Sequence, residues 1–123
     1  MERLFAVAGS VFGLLAVACG AFGAHALRDH LEPRDLDIFE VAVRVQMYHA
    51  LALLLISVIV SRSTSTLPLW SGWAFVIGVL IFSGSLYLLV STGVRGLGAI
   101  TPIGGLALLA GWALLIAHFA RAH

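Results

Sequence analysis

Between Arg3 and Arg28 the chain reads LFAVAGSVFGLLAVACGAFGAHAL, 24 residues without a charge. A helix needs about 20 apolar residues to cross a hydrocarbon core about 30 Å thick, so this stretch is long enough to span a bilayer. The pattern recurs: Arg44 and Arg62 bracket 17 uncharged residues, Arg62 and Arg95 bracket 32, and Arg95 and Arg121 bracket 25. Four spans are expected, over residues 4–24, 43–61, 70–89 and 100–119. They must be helices, because backbone facing lipid has to satisfy its own hydrogen bonds. A β-barrel would show short alternating segments, and these runs are continuous.

Composition agrees. Of 123 residues, 61% are hydrophobic and 11% charged, with a net charge of +1. Soluble domains carry about 25% charged residues, and a soluble globule of this composition would expose far more apolar surface than monomers tolerate. An ordinary cytosolic domain, a disordered tail and a nucleic-acid binder with a basic face are excluded. The one cysteine, Cys19, rules out a disulfide framework and a multi-cysteine metal site. The apolar run after Arg3 exceeds the core of about 7–15 residues usual in a signal peptide, and Cys19 reads as an ordinary buried thiol.

The expected architecture is an all-α integral membrane protein: one antiparallel four-helix transmembrane bundle, with an interfacial amphipathic helix in the linker 25–42. Residues 25–44 hold eight of the thirteen charged residues and five of the six acids. Glu32-Pro33-Arg34-Asp35 reads as a helix start, with proline in the first turn and acids near the positive end of the dipole. Leu36, Phe39, Val43 and Met47 recur at helical spacing, so Leu36, Phe39 and Val43 should face the bundle or lipid and Asp35, Asp37 and Glu40 water. The arginines divide four to three between the two sides, too evenly to set orientation by the positive-inside rule.

Gly9, Gly13, Ala16, Gly20 and Gly23 share an arc of about 80° on the first span at 100° per residue, and Gly104, Ala107 and Gly111 repeat the device on the fourth. Such seams let membrane helices approach closely and are read as packing surfaces. The polar residues gather towards one end: His25 and Arg28 after the first span, Arg44, Gln46, Tyr48 and His49 at the start of the second, Arg95 in the third loop and Thr101 at the start of the fourth. Antiparallel connection puts all of them on one membrane face, where His25, Arg44, Tyr48, His49 and Arg95 are expected to converge on one polar or lipid-headgroup site.

No aspartate or glutamate falls inside a predicted span, which disfavours a proton-coupled antiporter. No metalloprotease, serine-hydrolase or Cys/His metal motif is present. Neither a catalytic site, a metal nor a cofactor is expected.

Gly20-Ala21-Phe22-Gly23-Ala24-His25, Gln46-Met47-Tyr48-His49-Ala50-Leu51-Ala52, Phe82-Ser83-Gly84-Ser85-Leu86-Tyr87 and Ile100-Thr101-Pro102-Ile103-Gly104-Gly105 resemble, in order, the YgdD-type small inner-membrane proteins. This family is catalogued as domain of unknown function 423, and the animal transmembrane protein 256 is similar to it. The resemblance implies a multi-pass protein of the bacterial inner (plasma) membrane and no activity. The residues favour a non-enzymatic module that binds an anionic lipid or another membrane protein, since arginine at headgroup depth pairs naturally with phosphate. The alternatives are a small-solute transporter or channel built from a homo-oligomer, and a redox or metal component ligated by His25 and His49.

Overall fold

A computed structural model of the chain describes residues 1–121 and contains four long helices. Helix α1 (Glu2–Leu27) is α-helical to Ala18, widens into a π-turn over Cys19–Gly23, and closes with one further turn. Helix α2 is Pro33–Ser61, α3 is Leu67–Thr92 and α4 is Thr101–Arg121. Pro33 opens α2 from an extended Glu32, its missing N–H costing nothing in a first turn. Gly93 ends α3 in the left-handed region, at φ 74°, and its N–H closes on the Leu89 carbonyl at 2.8 Å. A 3₁₀ turn, Arg95–Ala99, leads into α4.

The amphipathic stretch expected in the linker is not a separate element, because it forms the first turns of α2. At 1.5 Å per residue α2 is about 43 Å long, more than the hydrocarbon core, so its first turns project into the interface. Phe39 is buried, Leu36 and Val43 are half-buried, and Asp37 is exposed.

The helices pack in sequence order, α1 on α2, α2 on α3 and α3 on α4. The core is thin: Phe5, Leu53, Ile56, Phe75, Val79, Leu108 and Leu115 meet along the axis. In the most apolar stretch of each helix only 22–39% of residues are buried, and Leu14, Leu55, Leu106, Leu109 and Ile116 point outward. That surface is untenable in water and ordinary in lipid. Four membrane-capable helices and no strand among the described residues make this an all-α membrane fold.

Glycine sets the interhelical distances. A Cβ on Gly9 would stand 2.8 Å from the Ala50 carbonyl oxygen, and one on Gly104 would strike the Phe82 backbone. Elsewhere a ring occupies the space of the missing side chain: Phe5 at Gly72, Phe39 at Gly23, Phe75 at Gly111. Gly20 and Gly13 are looser, their Cβ positions lying 3.4 Å from Val43 and 3.9 Å from the Ala50 Cβ. Ala16 is buried and Ala107 half-buried. Gly9→Ala should therefore destabilise the detergent-solubilised protein by about 1–3 kcal/mol, the range for overpacking against groups that cannot yield. Gly13→Ala should leave the melting temperature close to wild type. Equal melting of the two variants would refute this α1–α2 register.

Candidate functional site

Three helices meet at Gln46, which is 5% exposed. Its Nε2 donates to the Phe12 carbonyl of α1 at 2.8 Å, and its Oε1 accepts from the Tyr87 hydroxyl of α3 at 2.7 Å. Phe12 is two to three residues from the middle of α1, so this junction lies about 4 Å along the axis from the helix midpoint at 1.5 Å per residue.

His49, next along α2, is 7% exposed. The Trp112 indole of α4 donates to its Nε2 at 3.0 Å, and its Nδ1 is 2.7 Å from the Val45 carbonyl. An indole N–H can only donate. Nε2 therefore carries the lone pair, and Nδ1 carries the proton that it gives to Val45. The imidazole is a neutral connector packed edge-on to Phe75 and Trp112, at centroid distances of 5.0 and 5.8 Å.

Hydroxyls complete the set. Ser83 donates to the Ala42 carbonyl and Ser71 to the Gly111 carbonyl, each at 2.7 Å, and Ser85 and Thr101 share a hydrogen bond at 2.6 Å. These bonds join α1 to α2, α2 to α3, α3 to α4, and α2 to α4.

Above them, at the linker end, Arg95 grips Asp35 with two bonds at 2.8 and 3.2 Å, tying the third loop to the first turn of α2. The hydrogen-bonded guanidinium holds the Asp35 carboxyl below its ordinary value. Arg44 makes one 3.3 Å contact with Glu40, both side chains being largely exposed.

The residues expected to form one site are thus distributed, and they do not converge. Gln46 and His49 are latches near mid-depth, Thr101 bonds to α3, Arg95 clamps a loop, and His25, Arg28, Arg44 and Tyr48 are exposed. The cause is register. Because α2 begins at Pro33, with Gly9 facing Ala50, Gln46 and His49 sink far below the linker end, where His25 and Arg28 remain. His25 is sixteen residues beyond Gly9 on α1, so about 24 Å of axis at 1.5 Å per residue separates it from the level of His49. The two histidines cannot share a ligand, and among the described residues no three metal-binding side chains gather.

Sequence reasoning passed over Tyr87, Trp112 and Ser71. Ser83 and Tyr87 are four residues apart, hence on one face, which marked that face of α3 as polar without identifying its partner.

One concavity accompanies the latches. α1 and α3 meet where Phe5 covers Gly72. Further along, the two walls, Phe12 and Leu15 on α1 and Val79, Leu80 and Gly84 on α3, stand apart over Gln46, Ser83 and Tyr87. The cleft has a volume of about 190 Å³ and is open on one side. A Cβ on Gly84 would meet nothing within 4 Å.

The family model described as "Protein of unknown function (DUF423)" matches residues 19–105. A UPF0382 membrane protein of Staphylococcus haemolyticus is 49% identical over 114 residues, 93% of each chain. One from Staphylococcus aureus (strain bovine RF122) is 47% identical over the same shares, and one from Staphylococcus saprophyticus is 45% identical over 93% of this chain and 94% of its own. No solved structure matches the chain.

Two predictions follow from the latches and the clamp. Tyr87→Phe removes the donor to Gln46 and should cost about 1 kcal/mol, within the range measured for hydrogen bonds between membrane helices. In a Gln46→Leu background the same change should cost almost nothing, and additive losses in this double-mutant cycle would show that the bond is not made. The Asp35 clamp should be acid-sensitive. A depressed carboxyl contributes its stability above the unfolded value, 3.8, and loses it as pH falls through the lower folded value. Wild type should melt above Asp35→Asn at neutral pH and approach it on acidification. A gap that persists to the lowest pH tolerated would exclude the clamp.

Proposed function

The chain belongs to the DUF423 family of membrane proteins, and from that premise and the geometry above we propose that it is a non-enzymatic module of the bacterial inner (plasma) membrane that binds lipid, holding an acyl chain in the cleft between α1 and α3. The carrying observation is how the cleft is lined. Every hydroxyl at its base has spent its proton inward, Ser83 on Ala42 and Tyr87 on Gln46. What the hydroxyls leave towards the opening is lone pairs beside apolar wall, a surface that an alkyl chain covers without stranding a hydroxyl donor. At about 190 Å³ the space is below the roughly 300–1,000 Å³ usual for drug-sized ligands, and its open side faces lipid.

Gly84 supports the reading from another direction. The other α3 glycines, Gly72 and Gly78, are filled by Phe5 and Leu108, whereas Gly84 meets no neighbour and its missing side chain leaves the cleft wide. The latches below hold the walls apart, so the cleft is built in and does not need to be opened by its occupant.

The test fills the cleft without disturbing a packed contact. Wild type and Gly84→Phe are reconstituted with a phospholipid carrying a photoactivatable group midway along one acyl chain. Crosslinks in wild type should concentrate on the segment containing Leu80 and Gly84 and on that containing Phe12 and Leu15. Gly84→Phe should lose them while melting within a few degrees of wild type. Crosslinks spread evenly around the bundle, or unchanged by the substitution, would refute a chain-binding cleft.

A further inference from the structure

On the other side of α1, against α2, lies a smaller notch of about 140 Å³ bounded by Gly20, Phe39, Glu40, Val43 and Arg44. It stands apart from the cleft and does not depend on the cleft being occupied. We propose that this notch binds the headgroup of a zwitterionic phospholipid with a primary ammonium, a phosphatidylethanolamine, through phosphate on Arg44 and ammonium on Glu40.

Arg44 is incompletely paired. Its guanidinium has five N–H donors, and one meets Glu40, at 3.3 Å, longer than the 2.7–2.9 Å of a strong charge-assisted bond. Arg95, by contrast, makes a two-bond grip on Asp35, at 2.8 and 3.2 Å. The Arg44 side chain is 60% exposed and that of Glu40 43%, and they face outward, where the neighbouring molecules are lipids.

Gly20, five to six residues to the linker side of the α1 midpoint, faces Val43. Gln46 bonds Phe12, on the other side of that midpoint, so Arg44 leaves its helix between the midpoint and about 8 Å to its linker side at 1.5 Å per residue. Helical side chains lean towards the helix N-terminus, which for α2 is the linker end, and a long arginine reaches the interface from such a position. Donors left at that level are met by headgroup phosphates, which a guanidinium grips in two-pronged fashion.

The order of the charges fits the same headgroup. Glu40 is one turn nearer the membrane surface than Arg44, so the protein presents positive charge below and negative charge above. In phosphatidylethanolamine the phosphate is next to the glycerol and the ammonium lies beyond it, the complementary order. A purely anionic headgroup would bring its charge against the Glu40 carboxylate. A quaternary choline has no N–H to donate to it.

The experiment is competition in native mass spectrometry. The protein is released from nanodiscs holding equal amounts of phosphatidylethanolamine, phosphatidylglycerol and phosphatidylcholine of identical chains. Wild type should retain the ethanolamine lipid over each of the others by about five-fold, the order of one headgroup charge contact. Glu40→Gln should abolish that preference and raise retention of phosphatidylglycerol, and Arg44→Gln should reduce retention of both. Equal retention of the three lipids by wild type, which requires no variant to fold, overturns the proposal, as does a preference unchanged in Glu40→Gln. Gly84→Phe should not alter headgroup selectivity, so failure here and failure of the cleft are told apart.

Discussion

A hydrogen-bonding group in hydrocarbon has no water to fall back on, and the whole bundle answers to that constraint at Gln46. Its amide needs a donor and an acceptor at once, and it takes the acceptor from the backbone of α1 and the donor from the side chain of α3. Either neighbour moving by one residue would leave one end of the amide unpaired, at about 1–3 kcal/mol on protein-derived scales. Lipid tails compete equally with leucine for leucine, so apolar contact alone sets register weakly. The amide supplies what the thin apolar core lacks. Ser71 and Ser83 repeat the device on carbonyls of α4 and α2, and the His49–Trp112 bond ties α2 directly to α4.

This constraint and the glycine contacts support one another. A serine or glutamine side chain reaches a carbonyl on the next helix only when the backbones lie close, and Gly9, Gly78, Gly104 and Gly111 permit that approach. Conversely, glycine contacts are smooth and would allow sliding, which the polar bonds prevent. Each ring seated on a glycine contributes area without directionality, and each latch contributes direction with little area.

How much was legible in the chain follows from the same distinction. The four spans are written in the spacing of arginines, because charge exclusion from hydrocarbon acts on each segment by itself. The seams at Gly9, Gly104 and Gly111 are legible too, as small residues at helical spacing. Gly13 belongs to the same arc but meets only a distant methyl, because seam membership says which face is buried and not which position is pinched. Gly72 was invisible, since the ring that fills it comes from Phe5, at the far end of the sequence. The polar residues were misplaced for one physical reason. Arg44 looks like the edge of a span, yet it lies within the helix, paired with Glu40 and leaning towards the linker end. Taking it as the boundary raises Gln46 and His49 to the headgroups. The structure sets them near the middle of α2, the part of a spanning helix where a polar group must find a protein partner.

The division of polar groups by depth in turn bears on what the bundle can do. Near mid-depth the latches are neutral: an amide, hydroxyls, and an imidazole whose proton the donor-only indole assigns to Nδ1. Such groups hold helices without a charge to desolvate, whereas a buried ion pair would pay heavily for its dehydration. The ion pairs lie towards the linker end, Asp35–Arg95 between loop and helix and Glu40–Arg44 on the outer face. A bundle arranged this way is a hydrogen-bonded helical wall with a charged collar towards the linker end. The lateral cleft and the outward ion pair both open on the outer surface of the bundle, which is where the proposed lipid ligands would reach them.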